Sequence, residues 1–414
     1  MGLDILEEVE HNVPISMIRG GRCDGMPLVC KGGALGTPNA IIESAHAVQD
    51  VAKSMSAGTA GSATKPLIAI TVGDVCGVGP EIILKALAQK GVQRLANYVC
   101  LGIPERMELA TSFVKDCKIS IRRVHSVADC RFDPSVLEVF CPFEYDLSKI
   151  QTGVECPEAG RCAAKFVIEG CKLALEGTVD AISTAPLNKA AMHKGGYVYG
   201  GHTELIQECC GAKSSTLCLT SDALTVVHAT CHVPFKDISE RLADPGRILE
   251  TIRLVHGFCR MRWPHRQPRI AIAGLNPHCE PIFGDEETRL IQPAIDEANK
   301  NGWTVSPKPI PPDTVFLRAA NGEFDTVVAM YHDQGHIPSK IAGFSSTVNV
   351  TLGLPMIRTS VDHGTAFDIA GTGIADDMNM IKALELAAFM IKGRRAKADQ
   401  TGTAAAGAPL VAKL

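Results

Sequence analysis

The sequence predicts an α/β fold built on a largely parallel sheet. Three observations lead there. Between residues 67 and 394, short apolar runs such as LIAITV, RIAIAG and TVVAMY recur. Amphipathic segments at helical spacing separate several of them, and Gly- or Pro-containing turns mark the changes from one to the other.

The elements follow in order. Residues 21–48 read as one strand (MPLVC), a Lys-Gly-Gly turn and a helix-like ending, a βα unit too small to bury a core alone. Residues 53–66 are rich in Gly, Ser, Thr and Ala and predict a flexible linker. LIAITV predicts a buried strand, GDVCGVGPE a glycine turn with Pro80 at the first helical position, and PEIILKALAQK a helix. GRCAAKFVIEGCKLALEG and DPGRILETIRLVHGF predict further helices. AISTAP, STLCLTS, LTVVHAT, RIAIAGLNP, TVVAMYH and VNVTLGLP predict strands. From about Arg395 to Leu414 neither periodicity holds, which predicts a loose tail. No repeat of 20–50 residues is present.

Composition excludes several function classes. The 414 residues are 46% apolar and 21% charged, ordinary for a globular enzyme of two or three domains. A net charge of -4 gives no electrostatic reason to expect nucleic acid or an anionic membrane as a partner. No apolar run is long enough for a membrane span. Asp4, Glu7, Glu8 and Glu10 are foreign to a secretory signal. The 16 cysteines include no C-x-x-C pair, a pattern expected of reduced thiols in the cytoplasm.

The chemistry concentrates where strands end. VVHATCHVPF, IAIAGLNPHCE and VVAMYHDQG carry His232, His278 and His332 just past apolar runs. Side chains at strand ends of α/β sheets converge on a common crevice, and neutral imidazole is the commonest ligand of catalytic divalent metals. Any one of them alone reads more readily as a hydrogen-bonded residue at a sheet edge; the three in one kind of context turn the reading toward a metal. In GGHTELI, His202 and Thr203 offer an imidazole and a hydroxyl to an anionic or hydroxylated substrate, though Thr203 also suits a helix cap. In YHDQGHIPSK, Asp333 is placed to orient an imidazole or act as a base, Lys340 to neutralise an anion, and His336 reads as a bystander. VNVTLGLPMIRTSVDHGTAFDIAG brings Asn349, Arg358 and Asp362. Arg358 suits bidentate recognition of phosphate or carboxylate and Asp362 is a candidate proton acceptor, with a buried Arg358–Asp362 ion pair as the structural alternative. The GDVCGVGPE turn is neither a Rossmann fingerprint nor a P-loop. It reads as an anion-binding helix start or as a purely structural turn. Asp285, Glu286 and Glu287 are expected to start a helix.

Taken in this order, GDVCGVGPEI, GHTE, ATCHVPF, GLNPHCE, PIPPDTVF, YHDQGH and VNVTLGLPMIRTSVDHGTAFDIAG resemble the 4-hydroxythreonine-4-phosphate dehydrogenase family of pyridoxal phosphate biosynthesis, from about Leu67 to Lys392. The family has Pro-Ala where this chain has Val75-Cys76. The resemblance implies an isocitrate/isopropylmalate dehydrogenase-like fold of two α/β/α lobes around a central cleft, one of residues 67–195 and 374–394, the other of 196–373. It implies a homodimer whose sites borrow residues across the interface. It implies NAD as cofactor and a divalent metal (Mg, Mn, Co or Zn) on His232, His278 and His332, with His202, Thr203, Lys340, Asn349 and Arg358 on a phosphorylated substrate. The metal polarises the ketone left by hydride transfer and so assists loss of carbon dioxide.

YHDQGHIPSKIAGF and HGTAFDIAG look more like the catabolic branch, which takes D-threonate or D-erythronate 4-phosphate to dihydroxyacetone phosphate. GMPLVCKGGALGTPNAI in residues 1–52 resembles the C-terminal end of a four-carbon acid sugar kinase. The alternatives are 4-hydroxythreonine 4-phosphate as substrate, an aromatic cis-diol acid, or a non-catalytic metal- or phosphate-binding remnant.

Overall fold

The computed structural model describes residues 65–401 apart from Pro245 and Phe344. The kinase-like segment, nearly all of the expected linker and residues 402–414 lie outside the described residues.

β1 (Leu67–Thr71) leads through the glycine turn into α1 (Gly79–Ala88) and the short α2 (Lys90–Leu95). β2 (Asn97–Leu101), α3 (Pro104–Thr111), β3 (Ser120–Val124) and β4 (Val136–Phe140) follow, then α4 (Pro157–Leu175) and β5 (Ala181–Thr184). Next come α5 (Lys189–Lys194), α6 (His202–Cys210), β6 (Thr216–Thr220), β7 (Thr225–His228), α7 (Ile238–Leu242) and α8 (Arg247–Arg262). β8 (Ile270–Ile272), α9 (Gln292–Lys300), α10 (Pro312–Ala320), β9 (Thr326–Ala329) and α11 (His332–Gly343) follow. The hairpin β10 (Val348–Leu352) and β11 (Ile357–Val361) and the long α12 (Met378–Thr401) close the fold.

Among the described residues all eleven strands join one sheet, in the order β3-β4-β2-β1-β5-β11-β10-β6-β7-β9-β8. The strands from β3 to β11 are parallel, as are β7, β9 and β8. Between these blocks β10 runs antiparallel to both β11 and β6, and β6 to β7. The largely parallel expectation therefore holds at both ends and fails in the middle, where two hairpins reverse the chain. Most strands are buried on both faces because helices cover them, so they read as apolar runs without alternation; the edge strand β3, SIRRV, is largely exposed or half-buried. Ile68, Ile70, Ile182, Val227 and Val328 are fully buried.

The sheet does not divide where the expected lobes meet. β11, assigned by sequence to the second lobe, pairs in register with β5, Arg358 opposite Ile182. α12 packs on β11 and buries Met380, Leu384, Ala387 and Ile391. Residues 395–401, expected as the start of a tail, continue α12, and Arg395 pairs with Asp180 at 2.9 Å.

α4 shows how local sequence sets a helix. Cys156 accepts from the Ala159 amide at its N-terminus, Pro157 opens the first turn, and Cys162, Phe166 and Leu173 face the core. Gly160 lets the backbone of α5 approach, since a β-carbon there would overlap the Ala191 carbonyl.

Candidate metal and substrate site

Three parallel strands lie side by side in the order β7-β9-β8, and each delivers one of the expected histidines beyond its C-terminal end. His232 follows β7 by a four-residue extension, and His332 is the first residue of α11, just after β9. The β7–β9 pairing continues past the strands, with the Ala229 amide on the Ala329 carbonyl at 2.8 Å and the Thr230 amide on Met330 at 3.2 Å. The ring centroids of His232 and His332 are 5.9 Å apart. One ligand atom from each, with Cys231 Sγ, lies within 4.8 Å of the other two. This group suits a borderline divalent cation, because its donors are two imidazoles and a thiol with room for further ligands.

His278 does not join it. His278 stands exposed beyond β8 with φ 58°, the half-buried Cys279 has the same φ, and the His278 ring lies 6.2 Å from that of Phe283. Glu287 holds this turn by accepting from the amides of Leu275 and Asn276 at 2.8 and 2.7 Å, and Asn276 Nδ2 also donates to Glu286. The acidic run expected to start a helix does begin one at Glu287, a π-helical turn, but its carboxylates also shape the histidine loop.

Around the pair the polar groups are ordered. Asp333 Oδ1 accepts from His332 Nδ1 at 2.7 Å, which makes Nε2 the nitrogen with a free lone pair. Glu204 Oε1 lies 3.8 Å from His232 Nδ1. His336, expected as a bystander, stacks on His332 at 3.6 Å between centroids and bonds through Nδ1 to His228 Nε2 at 3.1 Å. His228 is buried at the end of β7, with Nδ1 on the Leu217 carbonyl. Burial pushes its pKa down to about 3, and that of His336 to about 4, so both rings are neutral and extend from His332 into the core. Lys340, one turn further along α11, pairs with Asp362 at 3.5 Å. Burial raises the Asp362 carboxyl, against the pull of Lys340, His363 and His332.

The second half of the site centres on Arg358 of β11. The guanidinium is buried, and its partners are Thr184 and Thr351 hydroxyls at 2.8 and 2.9 Å and Asn349 Oδ1 at 3.4 Å. No carboxylate is among these partners, so the Arg358–Asp362 ion pair is not formed, and Nε has no partner among the described residues. His202 opens α6 close by. Its Nε2 is buried without a partner, and burial with the charges of Arg358 and Lys189 holds its pKa well below the ordinary value. Thr203 is half-buried in the same turn. Glu204, which also acts electrostatically on Arg358, links this half to the histidines.

The glycine turn is different. The amides of Asp74, Cys76, Gly77 and Val78 already donate to the Pro186 carbonyl, Asp74 Oδ1, the Asp74 carbonyl and the Thr365 carbonyl. Gly73 (φ 68°) sits so close to Pro186 that a side chain would not fit. These four amides serve the turn itself, which is the structural reading.

Sequence reasoning thus found His202, His232, His332, Lys340, Asn349, Arg358 and Asp362 in one region. It passed over Glu204, Cys231, His228, Thr184 and Thr351. Cys231 and Glu204 neighbour residues that were singled out, whereas the two threonines become visible only once β5, β10 and β11 are laid side by side.

Comparison with known proteins identifies the family. The family model for the pyridoxal phosphate biosynthetic protein PdxA matches residues 94–387. The D-threonate 4-phosphate dehydrogenase of Salmonella typhimurium is 43% identical over 324 residues, 77% of this chain and 97% of that protein. The 4-hydroxythreonine-4-phosphate dehydrogenase of Desulforapulum autotrophicum is 40% identical over 78% of this chain and 95% of that one. Among solved structures, a 4-hydroxythreonine-4-phosphate dehydrogenase from Klebsiella pneumoniae superposes with TM-score 0.72 at 40% identity, covering 80% of this chain and 99% of its own. With two thirds of its length matched by the family model and nearly the whole of these relatives covered, the chain belongs to the PdxA family.

Proposed function

We propose that this PdxA-type dehydrogenase is metal-dependent and NAD-linked, and that it oxidatively decarboxylates a 4-phosphorylated four-carbon hydroxy acid. The substrate is D-threonate or D-erythronate 4-phosphate, and the products are dihydroxyacetone phosphate and carbon dioxide. One observation carries the reading: a buried arginine served only by neutral partners lies beside a cluster of metal-type ligands, with Glu204 between them. That is a fixed cation for an anionic substrate within reach of a Lewis-acid site. The names of relatives such as the Salmonella protein support the substrate.

When bound, NAD would supply a hydride acceptor for the carbinol β to the carboxylate, and a divalent ion held by His232, His278 and His332 would supply a Lewis acid for the carbonyl. The residues do the rest. Arg358 and Asn349, with His202 and Thr203, hold the anionic ends, and Lys340 adds a second cation. Asp362, its carboxyl raised by burial, takes the hydroxyl proton and later returns it to the carbon that loses carbon dioxide. Asp333 and Glu204 orient His332 and His232. His278, carried beyond the adjacent strand β8, is the third imidazole of the proposed set. A homodimer with the site at its interface belongs to the same proposal.

Relatives named 4-hydroxythreonine-4-phosphate dehydrogenase at about 40% identity favour a second reading, with that phosphate as substrate. Full-length protein, NAD and each divalent metal, assayed with the three phosphates in parallel for NADH and carbon dioxide, separates the two. The expected outcome is a preference of at least about tenfold in kcat/KM, roughly 1.4 kcal/mol, for a four-carbon acid phosphate. A preference for 4-hydroxythreonine 4-phosphate overturns the substrate, and no NADH from any of them overturns the proposal.

A further inference from the structure

We infer that Cys231 is itself a metal ligand, through Sγ, beside His232 and His332. The inference rests on the reading above that a divalent ion binds here, and adds a thiolate to what the sequence presents as an all-imidazole set.

Register comes first. β7 and β9 are parallel, with Val226 opposite Val327, Val227 opposite Val328 and His228 opposite Ala329. Carried forward along both chains, that register sets Cys231, rather than His232, level with His332. The main-chain bonds of Ala229 and Thr230 show the two segments still running together there.

Local backbone comes second. In an extended chain neighbouring side chains point to opposite faces, so Cys231 and His232 would not meet at one point. Here the Val233 amide turns back onto the Cys231 carbonyl at 2.7 Å, a three-residue turn centred on His232. The turn swings both side chains toward His332, and the three ligand atoms fall within 4.8 Å. Tetrahedral zinc with one sulfur and two nitrogens needs them at roughly 3.5 Å, which small side-chain rotations supply.

The chemistry follows from the donor. Binding breaks the Sγ–H bond, sends the proton to solvent and leaves a thiolate on the ion. A thiolate favours zinc or cobalt over magnesium or manganese; with His278 added the protein ligands number four, and substrate enters by expanding the ion to five-coordinate.

X-ray absorption on the zinc-loaded full-length protein tests this directly, with visible and near-ultraviolet spectra of the cobalt form alongside. The expected result is a sulfur shell at about 2.3 Å and a thiolate-to-cobalt charge-transfer band. Cys231→Ser should abolish both and weaken zinc at least roughly tenfold, while Cys279→Ser, beside His278, should keep both. A shell of nitrogen and oxygen alone in the unaltered protein overturns the inference and leaves the dehydrogenase reading standing. A sulfur shell that survives Cys231→Ser overturns it as well, and so does failure to retain zinc. Should Cys231→Ser not fold, the unaltered and Cys279→Ser spectra still decide. A sulfur shell in a protein that makes no NADH upholds the ligand and overturns the proposed reaction instead.

Discussion

Arg358 is costly to keep where it is. A buried guanidinium surrounded by two hydroxyls and an amide oxygen lacks the counter-charge that usually offsets its desolvation, and burial lowers its pKa to about 10. It stays charged at neutral pH, as the proposed contact with an anionic substrate requires. Arg358→Met, similar in length but apolar, should therefore raise KM for the phosphorylated substrate roughly 10–100-fold, the 1.5–3 kcal/mol of a charge-assisted bond. The melting temperature should hold or rise; a fall in Tm with unchanged KM would make Arg358 a structural residue. Asp74 poses the converse question. Burial lifts its carboxyl to about 6, against the pull of the Cys76 amide, which donates to Oδ1, and of the Cys76 thiol. A carboxyl raised on folding contributes stability below its unfolded pKa near 4, and loses it as pH climbs through about 6. Asp74→Asn should then stabilise the protein at pH 7.5 by up to about 3 kcal/mol and make little difference at pH 4. Urea titrations at the two pH values check both the size and the sign.

Helix α11 carries His332, Asp333, His336 and Lys340 in three turns, so its seat on β7 sets the site's geometry. Gly335 makes that seat possible: a β-carbon there would overlap His228 Nε2 and crowd Val226. Alanine in place of glycine gains about 1 kcal/mol of helix propensity, but overpacking a buried contact costs about 1–3. Gly335→Ala is expected to lower Tm and weaken zinc binding together, because α11 must lift and carry His332 away from His232. Stability that rises instead, with zinc affinity unchanged, would show the seat to be loose. The same helix explains how His336 comes to lie against His332. Its spacing of four residues from His332 puts the two rings on one helical face, but only packing against β7 provides His228 as a third.

At the scale of the molecule, one sheet runs through both halves, and the hairpin at its centre sets Asn349 of the antiparallel β10 beside Arg358 of β11, the last strand of the first parallel block. No helix among the described residues is long and apolar enough to cross a membrane. The proposed homodimer predicts sedimentation at twice the 44.0 kDa chain mass, with no concentration at which a monomer is fully active. A fully active monomer would remove the interface from the proposal.

Much was legible along the chain because it is local. Apolar runs, glycine turns and the order of the polar segments located strands, helices and most of the site. A histidine just past a strand carries its meaning in a few residues. What the chain could not announce were relations between distant segments: the antiparallel centre of the sheet, the level of Cys231 with His332, and the threonines around Arg358. These depend on strand order and register, set by how buried faces pack and not by any one segment's pattern. Sequence by itself determined which side chains are available for chemistry; only the tertiary structure decided which of them stand close enough to act together.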